Sequence, residues 1–265
     1  MYPEIITIGP VTLYSFGAMM GIGFLVATNL TARELKRRGM NPDIASNLLL
    51  ATALGGIGGS RVWAIFNEWD AFVTAPLTTI FAGAGFVWYG GLVGGALAAS
   101  FVFWRHGIPW LRGADCVAPG LLLGQAIGRI GCHLAGDGDW GAVTTVAWGV
   151  AYTEAITGWP HGPGIVVHPT PLYEAAAYGL AFAFMWTVRR RLPEDGSLFA
   201  LYLVTGPAAR FAIEFYRINP VVVFGLTQAQ VFSALLVFVG AGLLLAARYR
   251  LPASAQSPAA SAGTL

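Results

Sequence analysis

The sequence predicts an all-α integral membrane protein of seven transmembrane helices, with its N-terminus outside and its C-terminus in the cytoplasm. Three observations predict it. Charged residues make up 11% of the 265 residues and hydrophobic residues 56%, whereas a soluble domain carries about 25% charged residues. Apolar windows long enough to span recur near 11–30, 48–66, 87–104, 114–134, 171–188, 197–216 and 228–247. The connections between these windows alternate sharply in basic charge.

Taken in order, the windows fix the orientation. The first, 11–30, is long enough to span and is expected to remain as a helix, with no signal-peptide cleavage site after it. The connection 31–47 holds Arg33, Lys36, Arg37 and Arg38; 105–113 holds Arg105 and Arg112; 189–196 holds Arg189, Arg190 and Arg191; the C-terminal segment holds Arg248 and Arg250. Together these are eleven of the 15 basic residues. The alternate connections 1–10, 67–86, 135–170 and 217–227 hold only Arg217. The positive-inside rule assigns the basic set to the cytoplasm. Net charge is only +2, and no nucleic-acid partner is expected. Residues 1–250 are expected to form one transmembrane domain and 251–265, small and polar with a proline, a disordered cytoplasmic tail. The segment 135–170 is too long for a turn and is expected to form a small external cap.

The remaining three basic residues lie inside the spans: Arg61, Arg129 and Arg210. A charge at membrane depth costs about 3 kcal/mol on insertion scales and persists where it binds something. All three fall late in inside-to-outside spans, while Tyr14, Tyr89, Tyr173 and Glu174 fall early in outside-to-inside spans. Six helices therefore deliver polar groups to one outer level. Arg210, Glu214 and Arg217 share one face of span 6, and Arg129, Cys132 and His133 one face of span 4. Glu214 is the single buried carboxylate expected near the arginines. The surplus of guanidinium over carboxylate points to an anionic ligand such as a phosphate, which arginine grips bidentately. The alternative is a purely structural ion network.

Other features have plainer readings. The spacings Gly17/Gly21, Gly55/Gly59, Gly90/Gly94, Gly91/Gly95 and Gly124/Gly128 suit close helix contact. The run WYGGLVGG is denser than packing alone requires, yet no strand precedes it and no Lys-Ser/Thr follows, so it is no phosphate loop. His133, His161 and His168 match no standard metal spacing, so neither a metal nor a cofactor is expected. Cys116 and Cys132, on one helix, would stand about 24 Å apart and cannot bridge. Thr170 and Pro171 read as the N-cap and first residue of a helix, with Glu174 in its first turn.

At this point a family resemblance appears. IGPVTLYSFG, YGGLVGG, GRIGCHLAGDGDWG, HPTPLYE and ARFAIEFYR stand in the order and spacing of prolipoprotein diacylglyceryl transferases. The resemblance implies transfer of a diacylglyceryl group from phosphatidylglycerol to the lipobox cysteine thiol of a prolipoprotein, with glycerol phosphate leaving. It implies a bacterial inner-membrane enzyme, monomeric, whose site faces the outer leaflet. Arg129 matches the lipid-binding arginine and Arg210 the arginine that assists catalysis; Glu214 and Arg217 also match. Arg61, Asp137, Gly90 and Gly91 complete the expected substrate-binding set. The chain departs from the family pattern at Tyr89, where a histidine is usual, and at Cys132 and Ala135, where asparagines are usual. Asp137 stands for a glutamate with one extra residue before Trp140–Gly141, and Phe16 for a tyrosine. Tyr89 is carried as the third catalytic residue. The rival readings are a divergent homologue that binds anionic lipid without transferring it, and a small transporter.

Overall fold

A computed structural model describes residues 1–80 and 87–249. The expected tail, 251–265, lies outside the described residues. The chain is mostly helical, and each apolar window carries a long helix. These are α1 (Ser15–Arg37), α2 (Ile44–Asn67), α5 (Trp88–Arg105), α6 (Trp110–Ala135), α7 (Thr170–Val188), α8 (Ser197–Ile213) and α9 (Gln228–Tyr249), with the short α3 (Trp69–Thr74) and α4 (Pro76–Ile80) after α2. Among the described residues, four segments are long and apolar enough to cross a membrane: Ser15–Arg37, Ile44–Asn67, Ser197–Tyr216 and Gln228–Ala247. Helix α6 carries Arg112, Asp115 and Arg129 within its length and packs against α1, α7 and α8.

Helix α1 packs along α6, α2 along α5, and α8 along α9, while α7 and α8 both lean on α6. Leu35, Ile44, Leu48, Val102, Phe103 and Cys116 form one buried cluster where α1, α2, α5 and α6 meet. Leu122, Ala126, Tyr178, Met185 and Leu198 form another between α6, α7 and α8. The α2–α5 contact is set by glycine: a Cβ on Gly59 would overlap the Gly90 carbonyl, and one on Gly94 would overlap the Gly55 carbonyl. A Cβ on Gly91 would meet Ser60 Oγ at 2.6 Å, so the close approach of α2 accounts for Gly90, Gly91 and Gly94, whereas a Cβ on Gly95 would make only an ordinary contact at 3.8 Å. Gly17 and Gly21, by contrast, touch nothing within 4 Å. Large apolar side chains such as Leu54, Leu180 and Phe238 are more than 70% exposed on the helix surfaces. In water such faces would be an aggregation hazard; in lipid they are the expected solvent contact.

Two connections differ from expectation. The chain opens with a hairpin, β1 (Glu4–Ile8) and β2 (Val11–Tyr14), so helix α1 begins at Ser15 and not at 11. Its two-residue loop is Gly9–Pro10, with Gly9 at φ +59°, the geometry that puts glycine first in a tight hairpin turn. A second hairpin, β3 (Val221–Val223) and β4 (Leu226–Thr227), joins α8 to α9. Its loop, Phe224–Gly225, takes positive φ at both residues, the type I′ requirement. Residues 136–169 form the cap, which has its own core: Trp140, Tyr152 and Val167 are buried against Met1, Val150, Ala155 and Trp159. Tyr152 Oη meets His133 Nδ1 at 2.9 Å and docks the cap on α6.

The end of the helices opposite the cap is closed by charge. Asp115 of α6, fully buried, accepts from Arg38 Nη2 at 2.8 Å, Gly196 N at 2.9 Å and Phe199 N at 2.8 Å. It thus caps the N-terminus of α8 from another helix, satisfying amide donors that have no partner within α8. Glu34, 1% exposed, pairs Arg37 at 2.6 Å and Arg189 at 3.0 Å, joining α1 to the end of α7. Cys116, beside Asp115, and Cys132 are both free thiols. Removing one partner of a buried ion pair costs about 3–5 kcal/mol. Asp115→Ala should therefore lower the detergent-solubilised thermal midpoint clearly. The double variant Arg38→Leu with Asp115→Leu should lose less than the sum of its single variants; additive losses in thermal melts would deny the coupling.

Candidate active site

The ends of α6 and α8 and the start of α7 converge beneath the cap. Glu174 lies one turn inside α7 and is fully buried. Its Oε2 pairs Arg129 Nε at 2.5 Å, and its Oε1 pairs Arg210 Nη1 at 2.5 Å. One carboxylate therefore joins the two arginines expected to act together. Arg210 Nη2 pairs Glu214 Oε2 at 2.9 Å, one turn along the same face. Arg217 follows the 3-10 turn Glu214–Tyr216 and lies 3.5 Å from Glu214 and 3.8 Å from Glu174. Glu214 Oε1 accepts from Asn219 Nδ2 at 2.7 Å and Thr227 Oγ1 at 2.9 Å, tying the network to the second hairpin.

The third carboxylate comes from the cap, from a residue the sequence reading did not single out. Asp139, not Asp137, pairs the arginines: Arg217 Nη2 at 2.5 Å, and Arg129 Nη1 in an even closer contact. Gly136 at φ +63° and Gly138 at φ +93° turn the chain sharply after α6, and Asp137 Oδ1 accepts the Asp139 amide at 3.2 Å within that turn. Asp137 shapes the turn; Asp139 faces the network. The Asp139 carbonyl is held by Thr170 Oγ1 at 2.6 Å and Arg217 Nη1 at 2.8 Å. Thr170 is thus the first residue of α7, its hydroxyl serving the cap and not the helix end. Burial would raise the Asp139 carboxyl, but Arg217 and Arg129 outweigh it and hold the group below the usual carboxylate range. Burial dominates at Asp137 and pushes that carboxyl up. Asp139 therefore stays charged to lower pH than Asp137, and what its pairing adds to stability is lost only as pH falls through its depressed value.

The balance of charge also differs from expectation. Three arginines meet three carboxylates, Asp139, Glu174 and Glu214, so no surplus of positive charge exists. Accessibility makes the site asymmetric. Glu174, Glu214 and Arg217 are 6% exposed or less, whereas Arg129 is 24%, Arg210 19% and Asp139 32% exposed. Among the described residues, Arg129 Nη2 and Arg210 Nε meet no protein acceptor, so each arginine keeps N–H groups beyond the network.

The other expected residues lie elsewhere. Arg61 Nη1 donates to the Thr79 carbonyl at the end of α4 at 3.3 Å, on the α2–α5 side of the fold. The Tyr89 ring packs against Trp63 at 6.5 Å and Phe232 at 5.7 Å between centroids, joining α5 to α2 and α9. Gly90 and Gly91 face α2 in the contact described above. Cys132 Sγ lies 3.8 Å from Arg129 Nη1. Cys132, Asp137 and Asp139 offer donor atoms within 4.8 Å of one another, but Asp139 is already bound by two guanidiniums, a poor setting for a cation. Asp139, Asn219 and Thr227 were missed from sequence, and Glu174 was read as a helix-start charge at the polar level of the arginines but not as their partner. Its signal was available: a carboxylate at the depth of two arginines.

Comparison with known proteins fits this geometry. A family model described as prolipoprotein diacylglyceryl transferase matches residues 3–246. A Clostridium perfringens protein named phosphatidylglycerol–prolipoprotein diacylglyceryl transferase 2 is 33% identical over 236 residues, covering 88% of this chain and 90% of the relative. A Clostridium tetani transferase of the same name without the number is 31% identical, covering 94% of this chain and 99% of its own length. A Nostoc relative is 32% identical over 91% of this chain and 88% of its own. The chain belongs to the prolipoprotein diacylglyceryl transferase family.

Proposed function

We propose that this chain moves a diacylglyceryl group from phosphatidylglycerol to the cysteine thiol of a prolipoprotein, with the lipid phosphate seated on Arg129 and Arg210. It is a transferase by family. The observation that carries the assignment of the seat is the shared buried carboxylate: Glu174 holds Arg129 by Nε and Arg210 by Nη1, and with Asp139 and Glu214 on a second nitrogen of each, Arg129 Nη2 and Arg210 Nε remain for a ligand. A thiol sulfur attacks the glyceryl carbon, the carbon–oxygen bond to phosphate breaks, and glycerol phosphate departs with the thiol proton. The departing phosphate gains charge in that step. Guanidiniums held in place before the reaction stabilise that charge without reorganising. Because the network is neutral as it stands, its affinity for a monoanionic lipid comes from directed N–H donors and from the displaceable, partly exposed Asp139.

The remaining assignments belong to the same proposal. Residues 1–250 cross the bacterial inner membrane seven times as one domain, with the cap, the hairpins and the arginine network on the outer side and the Asp115 clasp in the cytoplasm. The protein acts as a monomer. Tyr89, Arg61 and Asp137 line the approach on the α5 and cap sides, with the Tyr89 hydroxyl near the incoming thiol, while Gly90 and Gly91 serve the site indirectly by setting the close α2–α5 contact beside Tyr89. Lipobox prolipoproteins enter from the outer face, and neither a metal nor a cofactor takes part.

Reporter fusions test the orientation. Fusions after residues 40, 110 and 193 should read cytoplasmic and those after 75 and 155 external; a cytoplasmic signal at 155 would put the arginines in the wrong leaflet. Labelling of a lipobox peptide by phosphatidylglycerol tests the seat. Arg129→Ala should reduce turnover by about 100-fold to 1,000-fold, the usual loss on removing one transition-state donor. Arg129→Lys should recover little, since an ammonium cannot pair Glu174 and phosphate through one planar fork. Near-normal turnover by a folded Arg129→Ala protein would remove the phosphate role.

A further inference from the structure

A second polar level lies directly below the charge network on the same three helices. Gln125 precedes Arg129 by four residues on α6, Tyr178 follows Glu174 by four on α7, and Tyr202 precedes Arg210 by eight on α8. Offsets of four and eight keep each residue on the face of its network partner. Helices α6 and α8 run toward the network and α7 away from it. All three residues therefore lie deeper, Gln125 and Tyr178 by about 6 Å and Tyr202 by about 12 Å along the helix axes. Gln125 Nε2 donates to Tyr202 Oη at 3.0 Å, which joins α6 to α8 at this depth. Tyr178, 6% exposed, lies within electrostatic reach of Glu174, Arg129 and Arg210.

This level is anomalous for helices in lipid. Gln125 is exposed at its helix surface and Tyr202 only half-buried, although a polar group facing hydrocarbon without a partner is costly. Their valences show what is left over. Tyr202 Oη accepts the Gln125 N–H and keeps its own O–H to give. Gln125 keeps its second N–H, and no acceptor for the Tyr178 O–H is described among the described residues. The unused groups include three donors. In a glycerophospholipid, the groups just below the phosphate are the ester carbonyls that join the acyl chains to glycerol, and these only accept hydrogen bonds.

We propose that Gln125, Tyr178 and Tyr202 form an ester-reading level of the lipid seat: they donate to the acyl-ester carbonyls and favour diacyl over dialkyl phospholipid. The proposal rests on the phosphate seat described above. It adds a specificity that the transfer chemistry does not require, because the carbon–oxygen bond that breaks is the one to phosphate and the acyl linkages are untouched.

Diester and diether phosphatidylglycerol of equal chain length separate the two claims. The wild-type protein should transfer from the diester with a kcat/KM about tenfold higher than from the diether, the scale of one or two neutral hydrogen bonds. Tyr202→Phe, which keeps the ring, and Gln125→Leu should each bring that ratio to within about twofold of one. Transfer from both lipids at equal rates by the wild type, or an unchanged ratio in both variants, would overturn ester reading and leave the phosphate seat standing. Native mass spectrometry of the detergent-solubilised protein with each lipid gives a readout independent of turnover. Preferential retention of the diester that is lost in Tyr202→Phe supports ester reading even where neither lipid is transferred, and in that case the transferase assignment fails instead. Equal retention of both lipids counts against it.

Discussion

One fully buried carboxylate organises the cap end of this molecule. Glu174 has no water to solvate it, and an unpaired carboxylate there would cost several kcal/mol. Arg129 from α6 and Arg210 from α8 each give it a contact at 2.5 Å, so three helices are tied at one point. The arginines are fixed in turn. Each has two of its three nitrogens committed to carboxylates, which sets the direction of the N–H groups that remain. Asp139 and Glu214 extend the same logic to the cap and to the second hairpin. An isolated pair of arginines would gain affinity for phosphate but would repel each other and wander. The carboxylates give up the surplus charge in return for position.

The opposite end uses the same chemistry for a different purpose. Asp115 and Glu34 are as buried as Glu174, but their partners close the network: two backbone amides and Arg38 around Asp115, Arg37 and Arg189 around Glu34. That end locks helices α1, α6, α7 and α8. The network under the cap instead keeps its most accessible pair, Arg129 and Asp139, at 24% and 32% exposure.

Much of this was legible in the sequence because two physical rules leave long-range traces. Hydrocarbon demands apolar runs, and the seven windows each carry a long helix. Charge at depth is costly, so Arg129, Arg210, Glu214 and Arg217 stood out, and the structure brings them together. What was illegible depends on local turn geometry. The shift from Asp137 to Asp139 follows from left-handed Gly136 and Gly138, which no hydropathy pattern encodes. The hairpins at Gly9–Pro10 and Phe224–Gly225 are short and apolar, and they blend into the adjoining helices. In the run WYGGLVGG, Gly90 and Gly94 meet the α2 backbone and Gly91 the Ser60 side chain, a contact no spacing encodes. Arg61 matched the other arginines in depth but not in rotation or helix partner.

The central claim is that a lipid phosphate binds the guanidinium edges that Glu174 leaves outward. A structure of the protein with phosphatidylglycerol bound measures this most directly. The account predicts phosphate oxygens within hydrogen-bond distance of Arg129 and Arg210, with the Glu174 contacts retained and the Arg129–Asp139 contact lengthened. A phosphate bound away from both arginines, for example at Arg61, with the network unchanged, would contradict it.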